Sequence, residues 1–284
     1  MVLSLRRAAP ATLPVNYPAM SSPKFFVLAF LLTLGVALPA LARTQTGFLD
    51  RAVTVNGIGY HYQVYVPTDF SKSKSWPVIL FLHGAGERGS DGLLQTDVGI
   101  AHAIRVHSSN FPFVVVIPQC AAGKMWGEPD MQAQALAALH ASIKEFHGDR
   151  NRIYLTGLSM GGFGTWELAA RNPGRFAALV PICSGVRPQK DWPQLRVTLV
   201  DDPKITDPYA EIARLIGSTP VWMFHGDADP AVPVAESRNM AEALKAANAK
   251  FKYTEYPGVG HNSWDQAYAE PDLVPWLLAQ TLKH

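Results

Sequence analysis

The stretch TGLSMGGFG, Thr156 to Gly164, stands directly after the run Arg152-Ile153-Tyr154-Leu155 and sets one serine among glycines. Within it, Gly157-Leu158-Ser159-Met160-Gly161 fits G-x-S-x-G, a sharp strand-to-helix turn that lifts a serine hydroxyl above the end of a sheet. Glycine is required around that serine because the turn packs too tightly for side chains. An isolated serine hydroxyl is a poor nucleophile at neutral pH, so it needs a base within hydrogen-bond reach and a third group to orient the base. The stretch therefore predicts a strand over 152–156, a helix over 160–171, and an acid and a histidine further along, in that order.

Reading outward, the chain alternates strands with helices. An antiparallel pair opens it, with strands over 52–56 and 60–66 and a turn at Gly57-Ile58-Gly59. Strand 77–83 is an unbroken apolar run, as expected of a strand buried on both faces. Strand 113–117 precedes a helix from Asp130, read as its cap, to His147. Leu136, Leu139, Ile143 and Phe146 recur there at helical spacing, and Gly148-Asp149 stops it. Asn172-Pro173-Gly174 ends the helix over 160–171, and strands follow over 176–182, 220–225 and 251–256. A helix beginning near Pro233 has Met240, Ala243, Leu244 and Ala247 on its inner face, and helices over 262–270 and 273–283 close the chain. The pattern predicts an α/β fold: a mostly parallel central sheet with helices on both faces, and its chemistry in loops at the carboxyl ends of the strands.

Two such loops supply the serine's partners. His225-Gly226-Asp227-Ala228-Asp229-Pro230 follows one strand and Gly258-Val259-Gly260-His261 follows the last. Asp229 is preferred to Asp227 as the acid because it lies far enough past the strand to reach the histidine; Asp227 is read as a turn residue bonding its own backbone. His261 is one of nine histidines. His140 and His147 fall on a predicted helix, His61 in a strand and His284 at the terminus, while His83 and His225, each before a glycine at a strand end, read as structural imidazoles. The developing oxyanion needs backbone donors, read as the N–H of Met160 and that of Ala85 in His83-Gly84-Ala85-Gly86, with Gly86 as the fallback.

Near the N-terminus, Phe25 to Leu38 is an apolar run behind Lys24, followed by Pro39-Ala40-Leu41-Ala42, where Ala40 and Ala42 fit an A-x-A cleavage rule. The run is shorter than the roughly 20 apolar residues of a spanning helix. It is read as a signal peptide over 1–42, with Met20 as an alternative start, leaving one catalytic domain over 43–284, exported to periplasm or medium and without a stable membrane anchor. Cleavage removes Arg6, Arg7 and Lys24 and no acid, leaving 22 basic against 23 acidic residues. That balance offers no attraction for nucleic acid or an anionic membrane. Cys120 and Cys183, the only cysteines, leave two readings open: a disulfide, or two separate buried thiols.

The segments HGAGERGSD (83–91), GLSMGGFGTW (157–166), HGDADPAVP (225–233) and GHNSW (260–264) together resemble the α/β-hydrolase superfamily, and within it the secreted carboxylesterases and feruloyl-esterase-like enzymes, some labelled predicted peptidases. The resemblance spans nearly all of the chain after residue 42. It implies Ser159 as nucleophile, Asp229 as acid and His261 as base, hydrolysis of carboxylic esters, and no metal or organic cofactor. Arg88 has two readings, a contact to the substrate or, preferred, an ion pair holding the loop. Trp126, Trp264 and Tyr268 line an aromatic cleft or simply pack. The connection from Cys183 to Thr219 holds one helical patch, Tyr209–Ile216, and no long apolar stretch to serve as a large lid. An open site and an ester of modest acyl length, small or polysaccharide-attached, are expected. A peptidase of prolyl-oligopeptidase type is the runner-up, and a non-catalytic binding module on the same scaffold is the rival from another class.

Overall fold

Residues 45–282 are described by the structure, a computed structural model, and all fall in one compact unit, Arg43–His284. The expected signal peptide, the alternative start at Met20 and Lys283, the last residue of the expected C-terminal helix, lie outside the described residues. No helix among the described residues is long and apolar enough to cross a membrane.

Eight strands form one sheet: β1 (Gly47–Val55), β2 (Ile58–Val66), β3 (Trp76–Leu82), β4 (Val114–Pro118), β5 (Gly148–Leu158), β6 (Ala178–Ile182), β7 (Val221–Gly226) and β8 (Phe251–Tyr256). Their order is β1-β2-β4-β3-β5-β6-β7-β8. The β1–β2 and β2–β4 pairs are antiparallel and every other pair is parallel. The expected opening pair is present but its turn is tighter than read. Val55 pairs directly with Ile58, and Asn56 and Gly57, with φ of 51° and 81°, form the two-residue turn whose twist suits a hairpin.

Alternation along β3 builds the core. Val78, Leu80 and Leu82 enter the cluster on one face, and Ile79 and Phe81 the cluster on the other. The first face is covered by α2 (Pro129–Glu145), α3 (Met160–Arg171), α4 (Pro208–Ile216) and α5 (Ala235–Ala246). The second is covered by α1 (Ile100–Val106), α6 (Trp264–Ala269) and α7 (Leu273–Leu278). The mostly parallel sheet with helices on both faces is the architecture the alternation predicted.

Several boundaries differ from expectation. Helix α1 had no counterpart in the sequence reading. Pro129 occupies the first turn of α2, so the capping position falls on Glu128 rather than Asp130. Gly148-Asp149 belongs to β5, where Gly148 pairs with Trp76. Ala247 is exposed, while Ser237 joins the buried face of α5.

Candidate active site

The turn after β5 is built by close packing. A Cβ on Gly161 would overlap the Leu82 carbonyl oxygen, and one on Gly157 the carbonyl of Gly161. Gly161→Ala is therefore expected to cost at least about 3 kcal/mol, a steric clash against backbone that cannot relax locally; the check is the Tm of the purified variant. Between these glycines Ser159 sits at φ 51°, ψ −120°, a conformation costing about 1–3 kcal/mol that only surrounding contacts maintain. Its N–H donates to the Ile182 carbonyl at 3.0 Å, and its own carbonyl accepts from Gly162 and Phe163 at the head of α3.

His261, from the loop after β8, meets this serine: Ser159 Oγ lies 2.9 Å from His261 Nε2. His261 Nδ1 lies 2.7 Å from Asp229 Oδ2. An Nδ1–H donated to the carboxylate leaves Nε2 free to accept the serine proton. The other oxygen, Asp229 Oδ1, accepts from the N–H groups of Ala231 at 2.8 Å and Val232 at 2.9 Å. Burial of Asp229 would raise its carboxyl, but hydrogen bonds from His225, His261 and Val232 outweigh it and hold the group well below the usual carboxylate range. Asp227 is elsewhere. Its Oδ1 accepts from Gly258 N–H at 2.6 Å, tying together the two loops that carry Asp229 and His261 instead of bonding its own backbone as the sequence suggested.

A cavity of about 440 Å³ opens over Ser159 and His261, with Ala85, Trp192, Leu195, Val232 and Trp264 among its walls. Met160 follows Ser159 at the first position of α3 with its side chain buried, and Ala85 and Gly86 stand in a short 3-10 turn, Ala85–Glu87. That turn is anchored from beneath by His83. Its Nε2 accepts from Cys120 N–H at 2.9 Å, so the proton sits on Nδ1 and is donated to the Gly84 carbonyl at 2.6 Å. Burial pushes the ring down to about 4, so it stays neutral in this role.

The proposed substrate residues divide. Trp264 lines the cavity and meets His261 edge-on, with ring centroids 5.5 Å apart. Trp126 is buried behind the site, its Nε1–H donating to the His83 carbonyl. Arg88 is outside the cavity lining: it donates to the carbonyls of Ala85 and Lys124 and lies over the Trp192 ring at 5.3 Å. These contacts are to backbone carbonyls and an aromatic face, where the sequence suggested an ion pair. Tyr268 is in the core, its hydroxyl 2.9 Å from that of Thr156. Sequence reasoning missed Trp192 and its neighbours Gln189 to Asp191, which wall the cavity; their signal was a position in the long connection after a central strand.

Cys120 and Cys183 are both free and buried, the second of the two readings. Cys183 Sγ, an Asp229 oxygen and a His261 nitrogen lie within 4.8 Å of one another, a spacing a metal could use. Burial, reinforced by the Asp229 charge, raises the Cys183 thiol, and the other two atoms are already joined by a hydrogen bond. The cluster is accounted for by the Ser–His–Asp arrangement itself.

A model of the prolyl oligopeptidase family matches residues 121–281. A relative from Salmonella typhimurium described as "Putative carboxymethylenebutenolidase" is 32% identical over 148 residues, covering 51% of this chain and 49% of that protein. An "Uncharacterized secreted protein" of Arthroderma benhamiae is 30% identical over 67% of this chain and 22% of its own length. The crystal structure of a thermostable esterase superposes with a TM-score of 0.69 at 31% identity, covering 82% of this chain and 63% of the esterase. The chain thus spans about half the length of the first of these relatives, and less of the second.

Proposed function

Because the chain belongs to the prolyl oligopeptidase family and has the α/β-hydrolase fold, we propose that it is a serine carboxylesterase, exported after removal of residues 1–42, with 43–284 as its one catalytic domain. The observation that carries this reading is the unbroken hydrogen-bonded chain Ser159–His261–Asp229 at the floor of an open cavity. Ser159 Oγ attacks the ester carbonyl as its proton passes to His261 Nε2, and the oxyanion is received by the N–H groups of Met160 and Ala85. His261 returns the proton to the departing alcohol, then activates the water that hydrolyses the acyl-enzyme. Export is supported by the signal-like N-terminus and by a secreted relative.

The walls bear on the substrate. Trp192, Trp264, Leu195 and Val232 give the cavity an apolar, aromatic lining, which suits a short-acyl or aryl ester, acetyl and feruloyl among them, free or attached to polysaccharide. Trp192→Ala is expected to raise KM for an aryl ester about tenfold while changing KM for p-nitrophenyl acetate by less than about twofold, since only the larger group reaches that wall. Parallel steady-state kinetics on the two substrates measure the difference.

The family match favours one second reading, a serine peptidase. Hydrolysis of p-nitrophenyl acetate, butyrate and decanoate, methyl ferulate, acetylated xylan and a chromogenic prolyl peptide by the purified protein separates the two. Ester turnover exceeding peptide turnover is expected. Cleavage of the peptide alone would move the protein to the peptidases, and no turnover at all by folded protein would leave the binding module.

A further inference from the structure

His225 has no part in the mechanism above, yet it is fully buried and touches the acid. Its Nε2 lies 3.2 Å from Asp229 Oδ2, the oxygen that receives His261, and 3.0 Å from the Val232 carbonyl. Both neighbours only accept, so Nε2 carries a proton. Its Nδ1 lies 2.7 Å from the hydroxyl of Ser237 on α5, and that hydroxyl is 3.5 Å from the Ser184 carbonyl. With the proton on Nε2, the neutral ring accepts at Nδ1, so the one proton of the Ser237 hydroxyl goes to His225 at 2.7 Å rather than to the Ser184 carbonyl at 3.5 Å.

We infer that His225 is a positioning residue: its Nε2–H, set by the Ser237 hydroxyl, is shared between the Val232 carbonyl and Asp229 Oδ2 and aims that oxygen at His261. The carboxylate is then held at both ends, by two backbone N–H groups on Oδ1 and two imidazoles on Oδ2. The other ionisable groups facing this pair are Cys183, beside Asp229, and Glu255, opposite His225 on β8 and bonded to Arg238 of α5. The hydrogen-bonded line therefore runs from Ser237 through His225, Asp229 and His261 to Ser159, joining α5 to the nucleophile.

The inference rests on the serine-hydrolase reading, and its test uses two readouts so that the two stand or fall separately. His225→Gln carries an amide N–H to the place of Nε2, whereas the shorter His225→Asn does not reach Asp229. With p-nitrophenyl acetate, the Asn variant is expected to lose roughly 10- to 100-fold in kcat with KM changed less than about twofold. The acid limb of its kcat/KM profile is expected to rise by about half a pH unit or more, because a carboxylate with one donor fewer stabilises an imidazolium on His261 more strongly. The Gln variant should recover most of kcat and return the limb to its original place. Labelling of Ser159 by a fluorophosphonate, which needs the activated serine but no particular ester, should slow in the same ratio.

Folded Asn variant with wild-type kcat and an unmoved limb would overturn the inference, as would equal losses in both variants with the limb unmoved, which mark a packing role. Should the Asn variant not fold, Ser237→Ala leaves the ring in place but frees it to turn, and the same upward shift of the limb is expected in smaller measure; no shift would likewise overturn the inference. Wild-type protein that labels but hydrolyses no ester would defeat the esterase reading and leave the labelling rates to judge His225.

Discussion

Ser159→Ala is expected to lower kcat by about 10⁶-fold while leaving the protein as stable as the parent to within about 1 kcal/mol. The asymmetry follows from the backbone. Serine and alanine share the same Cβ, so the strained conformation at φ 51° costs both residues the same, and the N–H bond to Ile182 is untouched. What disappears is one oxygen and its bond to His261. Turnover measured to the limit of detection, Tm by circular dichroism and reaction with a fluorophosphonate together check this. More than about one part in a hundred of the original activity would take Ser159 out of the mechanism.

Asp229→Asn should cost about 10⁴-fold in kcat, against less than about tenfold for Asp227→Asn. In the native site Oδ1 accepts two backbone N–H groups and Oδ2 two imidazole nitrogens. An asparagine that keeps its oxygen on Ala231 and Val232 turns its NH₂ toward His261 and His225, so donors face donors. His261 relieves the clash by adopting the other tautomer, with the proton on Nε2, and can no longer accept one from Ser159. Asp227 holds only the Gly258 N–H at an exposed position, and its loss loosens a loop without touching a proton path. A larger loss at Asp227 than at Asp229 would reverse the assignment of the acid.

The parts of this architecture legible in the sequence are those written as local patterns. The Ser159 turn was readable because close packing at Gly157 and Gly161 excludes other residues. The succession of strands along the chain was readable because β3, β6 and β7 are buried on both faces, and the partners followed from the loops after β7 and β8. What escaped depends on contacts between distant segments. Helix α1 spans Ile100–Val106, too short for its periodicity to stand out. The Asn56-Gly57 turn was displaced by reading glycine 59 as part of it, although Asn-Gly is itself the stronger signal. Trp192 reaches the cavity only because its connection folds back over the sheet, and Arg88 stacks on that tryptophan rather than pairing with an acid. His225 looked like any imidazole at a strand end; its significance lies in Ser237, a polar residue on the buried face of a helix read by its apolar positions.

Strand β8 closes the edge of the sheet, and the loop after it delivers His261. During synthesis, therefore, the serine emerges long before its base, and Asp229 too must wait for β8 before it has a ring to orient. A chain still lacking that edge lacks the hydrogen bond between Ser159 and His261, however well the earlier strands have assembled. On the proposed mechanism, completion of the sheet and activation of Ser159 therefore coincide, because the base arrives on the loop after the last strand.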